Sequence, residues 1–169
     1  DTATVGVAMS VTFPAVSAIA ASGRFAGPVE FMKIRSDRGD APVHDRYVPD
    51  GMAGARESRS ALPAGATVGA GWDDPCAFVT GLLVPSVART VVQDPQTPAV
   101  WLYSLSDLSW AVAVQDGDGS NVWQNGPRSL WGEVEAAHGW WTSQGSPELE
   151  RFGITANGAG VAVWLDEPS

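Results

Sequence analysis

Between Ser109 and Gly145 the apolar period changes once, from two to between three and four, and this constrains the fold more than any other feature of the chain. Ser109-Trp-Ala-Val-Ala-Val-Gln115 alternates as a strand. Asp116-Gly-Asp-Gly119 turns the chain, and Asn121-Val-Trp-Gln124 returns as the second arm of a hairpin. Pro127 then opens a helix predicted to run to about Ser143, closed by Gly145. Leu130, Trp131, Val134, Ala137 and Trp141 fall on one face of it, a stripe that must be buried against something. Glu133 and Glu135 lie near its N-terminus, where the helix dipole favours acids.

The neighbouring segments extend the same layer. Asp74-Pro75 reads as an N-cap with Pro at the first helical position, and the apolar stretch after it runs through Val84 to Pro85. Ser86–Gln93 and Ala99–Ser104 read as strands on either side of an Asp94-Pro95 turn. Gly160-Val-Ala-Val-Trp-Leu165, after an Asn157-Gly158 turn, is expected to close the fold. Residues 72–169 therefore predict an α+β domain, an antiparallel sheet packed by one long helix.

Two regions of different texture precede it. Residues 1–35 form an N-terminal β segment: Thr4–Phe13 alternates in part, Val16–Ala21 fits strand or helix, and Pro28–Arg35 alternates with apolar residues on both faces. Residues 36–71 are polar, rich in Gly, Pro, Ser, Asp and Arg, and lack a period, which predicts a long irregular loop or linker. The Arg38-Gly-Asp40 tripeptide in that region is too short to carry an adhesion function.

The net charge of −9 excludes one class of partner. Residues 1–60 carry seven basic and seven acidic side chains, whereas residues 61–169 carry three against twelve. Nucleic-acid binding draws its affinity from a basic footprint, and the regular half of the chain has the opposite sign. No apolar run is long enough to span a bilayer, so no membrane is expected. Cys76, the single cysteine, reads as a small buried hydrophobe and, with no secretory signal in view, favours a reducing, cytoplasmic home.

No catalytic set is complete. Asp116-Gly-Asp-Gly-Ser-Asn121 spaces its acids as a calcium loop does, yet Asn121 and Pro127 stand where that loop needs Gly and Glu. Val68-Gly-Ala-Gly71 lacks the flanking strand and helix of a nucleotide loop. His44 and His138 pair with no nucleophile or ligand at a usable spacing. The eight tryptophans are the unusual component. Most read as core, but Trp140 points away from the helix's apolar face, as an anchor for a peptide or protein does.

Four segments taken together resemble a known family. They are Gly27–Met32; Val100–Asp107 with Ser109-Trp110; Gly126–Ala137 with Trp140-Trp141; and Leu149–Phe152 with Val163-Trp164-Leu165. The chain resembles the C-terminal extension of actinobacterial enzymes related to protein-L-isoaspartate O-methyltransferase, which modify ribosomally made peptides such as lanthipeptides, lasso peptides and graspetides. The resemblance implies a separate Rossmann-like catalytic domain that binds S-adenosylmethionine and esterifies an aspartate, leading to aspartimide or isoaspartate. The extension is implied to recognise the modified or cyclised precursor peptide. The glycine-rich methyl-donor loop is missing here, so no catalytic or cofactor residue transfers to this chain. Gly132 and Gly139 also depart from a good helix, each costing about 1 kcal/mol against Ala.

The expected function is peptide-substrate recognition for such a methyltransferase, with Trp140, Trp110 and Arg128 as candidate peptide-binding residues. The expected partners are the catalytic domain and the precursor peptide; no cofactor or metal is assigned to the chain itself. The start at Asp1, without Met, fits a chain cut from something longer, which the catalytic part would complete. The alternative is a stand-alone, non-catalytic interaction domain.

Overall fold

A computed structural model describes residues 25–28, 47–48, 50–63, 66, 75–157 and 160–168. The expected strand over 4–13, the segment 16–21, most of Pro28–Arg35, the Arg-Gly-Asp, His44, Val68–Gly71, Asp74 and the turn at Gly158 lie outside them. The fold is α+β and comprises two compact units, one drawn from residues 36–146 and the other from residues 1–35 together with 147–169.

In the larger unit the strands are β2 (Arg56–Arg59), β3 (Val87–Val92), β4 (Ala99–Ser104), β5 (Trp110–Asp116) and β6 (Gly119–Asn125). They form one antiparallel sheet in the order β2-β6-β5-β4-β3. Two helices accompany it, α1 (Pro75–Leu83) and α2 (Leu130–Ser143). Local chemistry explains most of these bounds. The β5–β6 hairpin turns at Gly117, whose φ of +58° suits glycine at the first central position of a tight turn. The carboxylate of Asp94 accepts the backbone N–H groups of Gln96 and Thr97, closing the β3–β4 turn. Helix α2 starts three residues later than expected, at Leu130, after Gly126 turns the backbone with φ +101°; Ser129 holds the N-cap position without a side-chain capping bond. It ends at Ser143, with Gly145 in the left-handed region as expected.

Alternation divides the sheet into two apolar faces. Val100, Leu102, Ala111, Ala113 and Val122 face the helices and meet Leu130, Trp131, Val134 and Ala137 of α2. The alanines are fully buried, and their small side chains admit the indole and leucine opposite. Ala99, Trp101, Tyr103, Trp110, Val112 and Trp123 form the other face, where Tyr47, Val48 and Ala55 pack against them.

Within 36–71, expected to be a loop or linker, some of the described residues join this sheet and its two cores. Tyr47 donates to the Ser104 carbonyl, Leu62 enters the helix-side core, and Arg56–Arg59 is the strand that pairs with β6. The segment Arg-Glu-Ser-Arg has no apolar alternation because all four residues are exposed on a sheet edge. Charges there resist pairing with a further strand. Arg59 holds the register by donating to Asn121 at 2.8 Å and to the Asp116 carbonyl at 3.0 Å.

Burial of the Tyr103 ring pushes its phenol up to about 12. Folded and unfolded chains are both protonated below pH 10, so the contribution is intact there. Above that the unfolded chain loses the proton first, and stability falls as pH rises toward 12. Stability should fall between about pH 9 and 11.5, and Tyr103→Phe should remove this group's part of the decline. Urea unfolding of both proteins at the two pH values measures it.

The smaller unit contains β1 (Phe25–Pro28), β7 (Phe152–Asn157) and β8 (Gly160–Leu165), ordered β1-β7-β8 and antiparallel. A 3-10 turn at Leu149–Arg151 leads into β7. The strand at Gly160–Leu165 is present, but it does not close the helix-bearing sheet. It pairs with β7, only two residues away along the chain, so closing that hairpin costs little entropy. Gly153 lies under the Trp164 ring of its cross-strand partner; a Cβ there would sit 2.1 Å from the indole carbons.

Candidate functional site

The three residues expected to bind peptide occupy three different environments. Trp110 is 2% exposed, its ring 5.8 Å from that of Trp101 in the second core. It packs the fold and offers no surface, because β5 is covered on both faces. Trp140 is 38% exposed on the outer side of α2. Its neighbours at helical spacing are Glu133 and Ala137, as the periodicity predicts.

Arg128 is a clamp. Its guanidinium donates to both carboxylate oxygens of Glu133, from Nε at 3.0 Å and from Nη2 at 2.5 Å. Nη1 reaches the Pro85 carbonyl at 3.2 Å and the Ser104 hydroxyl at 3.3 Å. The backbone N–H of Arg128 donates to the Ser109 hydroxyl at 2.9 Å. One side chain thus joins the start of α2, the end of α1 and the β4–β5 loop. The Glu133 hydrogen bonds push Arg128 further up, so it carries its charge at any ordinary pH.

The segments that the clamp ties together carry exposed apolar residues that the sequence pattern does not single out. Leu83 ends α1, two residues before Pro85, and Leu105 and Leu108 sit in the β4–β5 loop beside Ser104 and Ser109. They are 46%, 66% and 54% exposed. The Leu105 N–H donates to the Ser86 carbonyl at 2.7 Å, tying that loop to the α1–β3 bend. Ser86 itself has φ +57°, a strained conformation for a residue with a side chain. Asp107 stands between the two loop leucines. Hydrogen bonds from the Ser109 hydroxyl and backbone N–H hold its carboxyl below the usual range. The sequence signal was two leucines inside an otherwise polar turn, Leu105-Ser-Asp-Leu108, which alternation cannot place in a core.

A second feature lies between the helices and the sheet. Cys76, Ala77, Thr80 and Gly81 of α1, with Val84 just past its end, share one face at helical spacing. Together with Trp131 and Val134 of α2, Val87 and Arg89 of β3, and Val100 and Leu102 of β4, they surround a cavity of about 90 Å³. Cys76 is buried in this wall, as the sequence suggested. Next to the cavity the Trp131 indole donates to the Ser60 hydroxyl at 2.9 Å, and that hydroxyl donates to Glu135 at 3.1 Å.

Among the described residues no three His, Cys, Asp or Glu side chains are placed to share a metal ion. His138 instead lies edge-on to Trp141, at 5.8 Å between ring centres. No helix among the described residues is long and apolar enough to cross a membrane. No family model, curated protein or solved structure matches this chain.

Proposed function

We propose that the chain is a peptide-recognition domain acting with a cytoplasmic aspartyl O-methyltransferase that forms aspartimide or isoaspartate in modified peptides. What supports the reading is three exposed leucines, Leu83, Leu105 and Leu108, on the chain segments that Arg128 ties together through Pro85 and Ser104. Exposed leucines pinned by hydrogen-bonded loops form a rigid apolar surface, and rigidity before binding lowers the entropy cost of association. Trp140 follows Glu133 by seven residues on the same helix side, about 10 Å further along the axis. A peptide lying along α2 can therefore meet leucines at one end and an indole at the other. S-adenosylmethionine belongs to the catalytic partner in this reading, and no residue of this chain is assigned to it.

Calorimetric titration with the cyclised precursor peptide tests the proposal. Binding should be detectable at high micromolar concentration, and Leu105→Asp with Leu108→Asp should weaken it by at least about tenfold while leaving the fold intact. A folded chain that does not bind sinks the reading. Capture of a folded partner protein, with no binding of peptide, favours a stand-alone interaction domain using the same leucines.

A further inference from the structure

The two edges of the five-stranded sheet differ in character. On one, β2 presents Arg56, Glu57 and Arg59, all exposed, and such charges discourage a further strand. On the other, β3 reads Val-Ala-Arg-Thr-Val-Val, a mostly half-buried run, and no strand among the described residues lies beyond it.

Hydrogen bonding sorts the backbone of β3 into inner and outer groups. The Leu105 N–H donates to the Ser86 carbonyl at 2.7 Å, so residues 86 and 105 form a bonded pair one step beyond the β3–β4 register. Bonded and non-bonded pairs alternate along an antiparallel ladder. Ala88, Thr90 and Val92 therefore turn their N–H and C=O groups toward β4, and Val87, Arg89 and Val91 turn theirs to the outer side. The side chains of Val87 and Val91 pack on the helix-facing core, and Ala88 packs on the opposite one. The outer edge thus offers backbone donors and acceptors at Val87 and Val91, with apolar side chains on either face.

An edge of this kind is a template for extended backbone, which a second copy or a linear peptide could supply. A second copy would bring a net charge of −9 against another −9, which opposes close pairing. A peptide without acidic residues meets no such repulsion, and a basic one is attracted. We propose that β3 binds an extended peptide segment, neutral or basic, as an added antiparallel strand anchored on the backbone of Val87 and Val91. Main-chain hydrogen bonds give the affinity, and every second side chain gives the specificity. Peptide residues opposite Val87 and Val91 face the helix side, beside the apolar cavity that Val87 lines, so small aliphatic side chains suit them. The pairing asks nothing of the Arg89 guanidinium. It also stands apart from the exposed leucines, so either reading can fail without the other.

Amide-resolved NMR titration of the full chain with acetyl-Thr-Val-Lys-Val-Thr-Val-amide tests the inference. The first and last valines of this peptide lie opposite Val91 and Val87. It should bind with a Kd of about 0.3 mM and slow hydrogen exchange at the Val87 and Val91 amides at least about tenfold near saturation. Ala88 and Thr90, already bonded to β4, should change little. N-methylation of those two valines removes donors that face β3 and should abolish binding. N-methylation of the lysine and of the threonine after it, whose N–H groups face away, should leave the Kd within about threefold. Val91→Pro deletes an outward N–H that the β3–β4 ladder does not use, so the chain should stay folded and lose the peptide. No binding at about ten times the expected Kd, an equal response to the two methylation patterns, or exchange slowed elsewhere than β3 overturns the proposal. A dimer in sedimentation, with Val87 and Val91 protected before peptide is added, gives the edge to a second copy and overturns it too.

Discussion

Trp131→Ala is expected to cost the helix-bearing unit about 4 kcal/mol, the usual penalty for emptying a fully buried aromatic site. Two structural roles meet in this side chain. Its ring is buried against the helix-facing side of the sheet, with Val100, Leu102 and Ala111 in the same cluster. Its Nε1–H donates to Ser60, whose hydroxyl also accepts the Leu62 N–H at 3.1 Å. Glu135, one turn further along α2, accepts from the Ser60 hydroxyl and from the Ala61 N–H at 2.7 Å. Residues 60–62 are thereby fastened to the helix that covers them. Trp131→Phe keeps most of the apolar volume and loses the hydrogen bond, so it should cost nearer 1 kcal/mol. Urea unfolding followed by far-ultraviolet circular dichroism separates the two. If both variants cost the same, the hydrogen bond and not the ring dominates.

The second large effect is expected at Gly126. A Cβ there would lie 2.5 Å from the Cα and Oγ of Ser109, and the backbone φ of +101° disfavours any L side chain. Backbone cannot step aside as a flexible side-chain tip can. Gly126→Ala should therefore cost at least about 3 kcal/mol, combining conformational strain with the displacement of β5. Displacing Ser109 also removes the acceptor of the Arg128 N–H, so amide exchange at Arg128 and Trp131 should accelerate before the rest of the unit. Gly139 is the control. It is exposed on α2 with no atom within 4 Å of an added Cβ, and Gly139→Ala should stabilise by about 0.5–1 kcal/mol. A Gly126→Ala protein with an unchanged midpoint would show that the tight approach to Ser109 is not needed.

Comparison of Trp110 with Trp140 shows how far the candidate site can be read from sequence. Both were tryptophans in regular elements within the segments carrying the family resemblance. The outward direction of Trp140 follows from helical spacing, a local property, because one face of α2 is apolar and Trp140 is off it. The burial of Trp110 depends on Tyr47 and Val48 lying across the sheet, and nothing near position 110 encodes that. Arg128 is similar. Its partner Glu133 is five residues away and legible, whereas Pro85 and Ser104 are joined to it only by the fold.

The sequence by itself determined the elements whose signals are local. The face of α2, the Gly117 hairpin, the Asp94 turn and the strands at 87–92, 99–104 and 160–165 all lie where period and turn chemistry place them. Tertiary structure alone decided which strands are partners. Alternation marks a strand's faces but not its neighbour, so β8 could be foreseen as a strand without its place beside β7. It also decided that Arg56–Arg59 is a strand at all, since an edge with both faces exposed needs no apolar pattern and is held by hydrogen bonds to β6. The segments carrying Leu83, Leu105 and Leu108 follow the same rule: they are distant in the chain, and the bonds from Arg128 to Pro85 and Ser104 tie them together.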